Sequence, residues 1–111
     1  IMRHDRRRFV EQLDFLTTPG YLTGPGAREA AGLPPGTGPY RVVTNLAVLG
    51  YHPDTKRMML LATQPGITPA QVVENTGFEL VIPGQVDSNP APTMDELHIL
   101  REEVDRDRLY I

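Results

Sequence analysis

Apolar positions fall in short blocks whose spacing differs from one block to the next. Residues 40–51 (Tyr-Arg-Val-Val-Thr-Asn-Leu-Ala-Val-Leu-Gly-Tyr) are mostly apolar and rich in β-branched side chains, which predicts a strand covered on both faces. His52-Pro53-Asp54-Thr55-Lys56 reads as a turn. Residues 57–63 (Arg-Met-Met-Leu-Leu-Ala-Thr) then read as a second strand, so the two are expected to form an antiparallel hairpin with a loop of about five residues. Residues 78–82 (Phe-Glu-Leu-Val-Ile) predict a third short strand, ended by Pro83-Gly84. Residues 8–18 fit two periods. Phe9, Leu13 and Phe15 share one face of a strand; Phe9, Val10, Leu13 and Leu16 share one face of a helix. Periodicity leaves both open.

Two helix starts carry their own punctuation. Thr68 is an N-cap, Pro69 takes the first helical position, and Gln71 completes a capping box. That helix is expected to run through Val72, Val73 and Thr76 and to stop at Gly77. Thr93 caps a last helix with Glu96 three residues on, and Leu97, Leu100 and Val104 form its apolar stripe. Residues 85–92 read as a polar linker. Leu109, Tyr110 and Ile111 form an apolar tail expected to dock on the body or on a neighbour. Residues 19–39 hold Pro or Gly at more than half of their positions, a long irregular loop. Loops of this length are functional or disordered, and Tyr21 and Leu22 favour one that packs against something.

Composition narrows the class. The 111 residues fit one domain or part of one. Aromatics are only 6% and Trp is absent, so the core must be aliphatic. A formal charge of -3 is too mild to imply a nucleic-acid partner. Arg3–Arg8 is the local exception, with four arginines in six residues. It reads as a solvated or partner-facing segment, or as a contact to phosphate groups. With no cysteine, a disulfide scaffold and a thiol nucleophile are both excluded, and a reducing, cytoplasmic setting fits. No apolar run approaches the ~20 residues that span a bilayer. The chain opens at Ile1 and reads as a piece of a longer protein.

Candidate chemistry is sparse. His4, His52 and His98 have no metal-ligand spacing. Asp95, Glu96, Glu102, Glu103, Asp105 and Asp107 read as a solvated helix face. Glu79, in an apolar run, is either an acid with a raised pKa or a strand residue turned outward. There is no nucleophile elbow and no phosphate loop; Gly24-Pro25-Gly26 lacks the strand-to-helix setting.

Four segments, in order, carry a resemblance. They are Arg8-Phe9-Val10 through Leu13-Asp14-Phe15-Leu16-Thr17-Thr18-Pro19-Gly20-Tyr21; Val42-Val43-Thr44-Asn45-Leu46-Ala47-Val48-Leu49; Gln64-Pro65-Gly66-Ile67-Thr68 with Val72 and Asn75-Thr76-Gly77-Phe78-Glu79-Leu80; and Pro92-Thr93-Met94-Asp95-Glu96-Leu97 with Leu100-Arg101-Glu102-Glu103-Val104-Asp105. Together they resemble family I CoA-transferases, specifically the C-terminal half of the B-type subunit of glutaconate CoA-transferases. Gln64 stands where that family commonly has His, and Arg106 where it has Pro.

The resemblance implies an α/β fold, namely the C-terminal half of an open mixed-sheet CoA-transferase domain with a β-hairpin and covering helices. It tips residues 8–18 to strand. Residues 1–111 would then form the C-terminal part of a single domain, that of the B-type subunit. The partners implied are the A-type subunit, the N-terminal half of the B-type subunit and acyl-CoA, without nucleic acid or membrane. CoA would be a substrate, with no other cofactor. Family chemistry moves CoA between an acyl-CoA and a carboxylic acid through a glutamyl-CoA thioester. The glutamate that does this is expected upstream of this chain, and no residue here is assigned a catalytic role. Thr18, Gly20 and Tyr21 are the candidate substrate-binding residues, lining the acyl pocket or the interface between the two subunits; a purely structural turn is the alternative. Relatives on this fold also hydrolyse or decarboxylate CoA esters, and a non-catalytic assembly module is a third possibility.

Overall fold

The apolar run 40–51 breaks in two at Thr44. A computed structural model, which describes residues 1–110, places strand β1 at Val42–Val43 and strand β2 at Ala47–Tyr51. The Thr44 hydroxyl accepts the Leu46 and Ala47 amides at 3.1 and 2.9 Å, and its own N–H donates to the Ala47 carbonyl at 2.9 Å. A side chain that bonds nearby backbone competes with the ladder, so the chain reverses here. β1 then pairs antiparallel with β2, Val42 opposite Leu49 and Val43 opposite Val48. The single strand expected over 40–51 is therefore two.

The next hairpin is the one expected. Strand β3 (Met58–Thr63) runs antiparallel to β2, from Tyr51 opposite Met58 to Ala47 opposite Thr63. The register shifts between Val48 and Leu49, so Leu61 bulges out of the ladder. His52 shapes the turn, its Nδ1 accepting the Asp54 and Thr55 amides at 3.3 Å. On the far side of β3 a two-residue strand, β4 (Asp87–Ser88), adds in parallel. The sheet is thus mixed, in the order β1-β2-β3-β4. The expected linker supplies β4, while the strand expected over 78–82 shrinks to a single parallel bridge between Val81 and Met59. Pro83 has no amide to continue it.

Helix α1 (Ala27–Ala30) is one turn inside the long loop. Helix α2 (Pro69–Glu74) starts at the Thr68 capping box and ends at Asn75, short of the expected Thr76. Helix α3 (Met94–Ile99) starts at a second box, where the Glu96 carboxylate accepts Thr93 N–H at 2.8 Å and the Thr93 hydroxyl at 2.9 Å. These bonds hold the Glu96 pKa below its ordinary value. The chain then loosens into a π-helical turn, Leu100–Val104, closed by Asp105 N–H donating to Leu100 O at 2.7 Å. The Asp105 carboxylate gathers the Leu109 and Tyr110 amides at 2.8 and 3.1 Å.

No strand forms over residues 8–18. Asp5 gathers a turn instead: its carboxylate accepts the Arg7 and Arg8 amides at 3.1 Å, its carbonyl accepts Arg8 and Phe9, and the Arg8 guanidinium pairs with it. The free edge of β1 is served by Met2, bridged in parallel to Thr44. Residues 10–18 therefore find no sheet edge among the described residues, and Leu13, Phe15 and Leu16 stay exposed.

Phe9, Ala47, Leu49, Leu60, Val72 and Leu80 form the core, between one sheet face, α2 and the N-terminal turn. Burying each of the larger aliphatics stabilises by roughly 1.5–3 kcal/mol. His4 sits beside this core, 3% exposed, its ring stacked on Phe9 at 3.9 Å. The stripe Leu97, Leu100 and Val104 is not buried within this chain, and α3 has no buried residue. Leu109 and Tyr110 are also exposed, while Ile111 lies outside the described residues. The radius of gyration, 16.5 Å, exceeds the roughly 13 Å of a compact chain this long, as such a stretched-out C-terminal region requires.

Candidate functional site

The long loop is closed on itself by one side chain. Arg28, on α1, donates from Nη1 to the carbonyls of Pro19 at 2.7 Å and Gly20 at 2.8 Å, and from Nη2 to the Thr37 hydroxyl at 3.0 Å. Thr37 in turn donates to Pro34 O at 2.7 Å. One planar guanidinium thereby joins the entrance of the loop to its exit, a fork geometry that Lys cannot reproduce. Tyr21 makes a second tie, its hydroxyl donating to Pro39 O at 2.9 Å. Gly38 lets that ring pass: at φ 149°, an added Cβ would lie 2.8 Å from Tyr21 Cε1.

This closed loop and the end of β2 enclose an open cleft of about 630 Å³. Thr18, Arg28 and Tyr51 supply its polar side chains; Pro19, Leu33 and Pro39 supply apolar wall, and Gly20 and Gly38 supply backbone. Tyr51 meets Tyr21 edge-on, ring centroids 4.8 Å apart, so Tyr21 braces it from behind. Burial raises the Tyr51 pKa, with the Tyr21 phenol adding to the effect, so the hydroxyl stays protonated at neutral pH. A second, smaller cavity of about 140 Å³ lies behind Tyr21 and is lined by Lys56, Arg28 and Thr37 among others. Lys56 sits 5.6 Å above the Tyr21 ring in a cation–π contact.

Of the three residues singled out from the sequence, Thr18 and Gly20 line the cleft, and Tyr21 stands behind it. Sequence reasoning missed Arg28 and Tyr51. Arg28 did leave a signal, as the lone basic residue of the 19–39 loop. Tyr51 left none, being one more apolar position at a strand end. All glutamates are exposed and none lines the cleft. Glu79 pairs with Arg57 at 3.2 Å, the outward-facing reading. No cluster of three or more metal-ligating side chains occurs among the described residues. The basic N-terminal segment is engaged internally: Arg3 and Arg8 pair with Asp5, and Arg6 donates to Glu74 O at 3.1 Å.

Residues 1–75 match the family model for coenzyme A transferase, and the chain belongs to that family. It is 41% identical, over 111 residues, to the B-type subunit of glutaconate CoA-transferase from Acidaminococcus fermentans, covering all of this chain and 41% of the relative. It is 36% identical over 101 residues to the B-type subunit of 3-oxoadipate CoA-transferase from Pseudomonas knackmussii, covering 91% of this chain and 38% of the relative. The crystal structure of glutaconate coenzyme A-transferase from Acidaminococcus fermentans superposes with a TM-score of 0.93 at 40% identity, over 99% of this chain and 42% of that one. The chain thus spans about two-fifths of the length of these relatives. The α/β architecture with an open mixed sheet is the one the resemblance implied. Among the described residues no helix is long and apolar enough to cross a membrane.

Proposed function

We propose that this chain is the C-terminal portion of the B-type subunit of a CoA-transferase, which moves CoA between an acyl-CoA and a small dicarboxylic acid as part of an A/B complex. The observation that carries this reading is the superposition on a glutaconate CoA-transferase over nearly the whole chain at 40% identity. In this reading the chain contributes shape and binding groups rather than the nucleophile. The glutamate that takes up CoA is expected upstream of this chain, a reading supported by the exposed glutamates here lying away from the cleft. That carboxylate attacks the thioester and displaces CoA thiolate to give a mixed anhydride. The thiolate then adds to the glutamyl carbonyl, the original acid leaves as its carboxylate, and the incoming acid takes up CoA by the same two steps in reverse. Thr18 and Gly20 line the acyl side, and Tyr21 supports them through Tyr51.

The test is to produce the full B-type subunit carrying this chain together with its A-type partner. The complex is supplied with glutaryl-CoA and acetate. Formation of acetyl-CoA with release of glutarate, together with an enzyme-bound CoA thioester seen by intact mass, is expected. Release of free CoA without acyl exchange would assign the complex to ester hydrolysis instead.

A further inference from the structure

Among the described residues, the cleft beside the long loop presents hydrogen-bond donors and no negative charge. Arg28 is its one cation, and its partners are all neutral: two carbonyls and a hydroxyl. No described residue that lines the cleft is acidic. The guanidinium Nε is buried and has no partner among the described residues, so the charge is incompletely satisfied. Tyr51 reaches the same cleft with a hydroxyl that makes no hydrogen bond among the described residues, and the edge-on packing of Tyr21 fixes its ring. Thr18 adds a second hydroxyl at the rim. Arginine can only donate, and the two hydroxyls are free to donate as well. Between these groups the wall is apolar, from Pro19, Leu33 and Pro39. A volume of about 630 Å³ lies within the range of small-ligand sites.

From this arrangement we propose that the cleft is a carboxylate subsite: it holds the far, non-reacting carboxylate of a dicarboxylic acyl group between Arg28 and the Tyr51 hydroxyl, with the methylene chain against Pro19, Leu33 and Pro39. The inference rests on the transferase reading above and deepens it, since it says which end of the substrate this chain recognises. Arg28 acts twice, closing the loop and supplying the charge. A monocarboxylic acid of equal length would bring a methyl group to the same place and leave the charge and both hydroxyls without a partner. A site built around hydrogen-bonding groups rejects such an analogue strongly, because its own polar groups are then left unpaired.

The experiment is calorimetric titration of the A/B complex with glutarate and with valerate, which have the same number of carbons. Glutarate is expected to bind at least about ten-fold tighter, the scale of one hydrogen bond to a charged group. Tyr51→Phe removes one oxygen that has no partner among the described residues, and it should reduce that preference several-fold while leaving valerate binding unchanged. Arg28→Gln should abolish the preference. If Arg28→Gln disrupts the loop, Tyr51→Phe decides alone. Equal affinity for the two acids, or equal losses for both acids in Tyr51→Phe, would overturn the proposal, as would binding of neither acid. Binding needs no turnover, so the two readings fail separately. A glutarate preference without CoA transfer supports the subsite and sinks the transferase reading; CoA transfer without a glutarate preference does the reverse.

Discussion

His4 Nε2 lies 2.9 Å from the Thr76 hydroxyl, across 72 positions of sequence, while its Nδ1 lies 3.1 Å from the Thr44 hydroxyl. Thr76 donates its own hydrogen to Val72 O at 2.7 Å, so its oxygen accepts from His4 Nε2–H. Nδ1 is then the acceptor, facing a Thr44 hydroxyl whose single hydrogen is shared with Ala47 O at 3.2 Å. One ring joins the N-terminal segment, the β1–β2 turn and the end of α2.

Burial lowers the His4 pKa below 6.5, although the neighbouring Asp5 carboxylate pulls the other way. Above 6.5 the ring is neutral folded or unfolded, and stability does not depend on it. As pH falls below 6.5 the unfolded chain takes up a proton that the folded chain refuses, so stability declines until the folded pKa is passed. Thermal melts of the full protein between about pH 7.5 and about pH 5, where histidine charge changes, should show a falling midpoint. His4→Phe should flatten that slope. An unchanged slope in the variant would reject His4 as its source.

Gly77 presses its backbone against Phe9. Its N–H donates to Phe9 O at 2.7 Å, and an added Cβ would overlap that same oxygen. Backbone cannot swing away as a long side chain can. Gly77→Ala should therefore lift Phe9 from the core and cost about 1–3 kcal/mol in denaturant melts, the range for overpacking. Gly84 has open space around it and serves as the control. Gly84→Ala should leave stability unchanged or raise it slightly.

Gly38 makes the same argument at the cleft. Gly38→Ala combines backbone at φ 149° with a Cβ driven into the Tyr21 ring. The loss is expected to be local, because Tyr21 and Pro39 lie outside the core. Hydrogen exchange over residues 18–39 should rise while the amides of β2 and β3 keep their protection. Loss of protection across the whole sheet would show that the loop and the sheet unfold as one unit.

Phe15, Tyr40, Met94, Leu109 and Tyr110 are each more than 70% exposed, and both outer strands of the sheet are only two residues long. Strands this short offer little edge to pair with, but apolar side chains in water favour association. The isolated 111-residue chain should therefore elute as oligomers or aggregate in size-exclusion chromatography with light scattering. A monodisperse monomer with a cooperative melt would contradict this.

The sequence by itself determined the features whose causes lie within about four residues. Thr68 with Gln71 and Thr93 with Glu96 start the helices where their capping boxes say. The β2–β3 hairpin turns at His52, and the Pro- and Gly-rich stretch 19–39 is the loop that carries the cleft. The ordered motifs also placed the chain in its family. Tertiary structure decided whatever needed a distant partner. Residues 8–18 have strand-like spacing but no edge to join, because Met2 serves β1, while Val81 and β4 serve β3. Thr44 is the local exception: it divides an apolar run through bonds to the amides of Leu46 and Ala47, two and three residues on, which apolar spacing does not disclose. Arg28 and Tyr51, 23 positions apart in sequence, meet at one cleft only once the loop has folded back on the end of β2. Periodicity reports which face of a segment is apolar, but not what that face will meet, and the candidate site is made of such meetings.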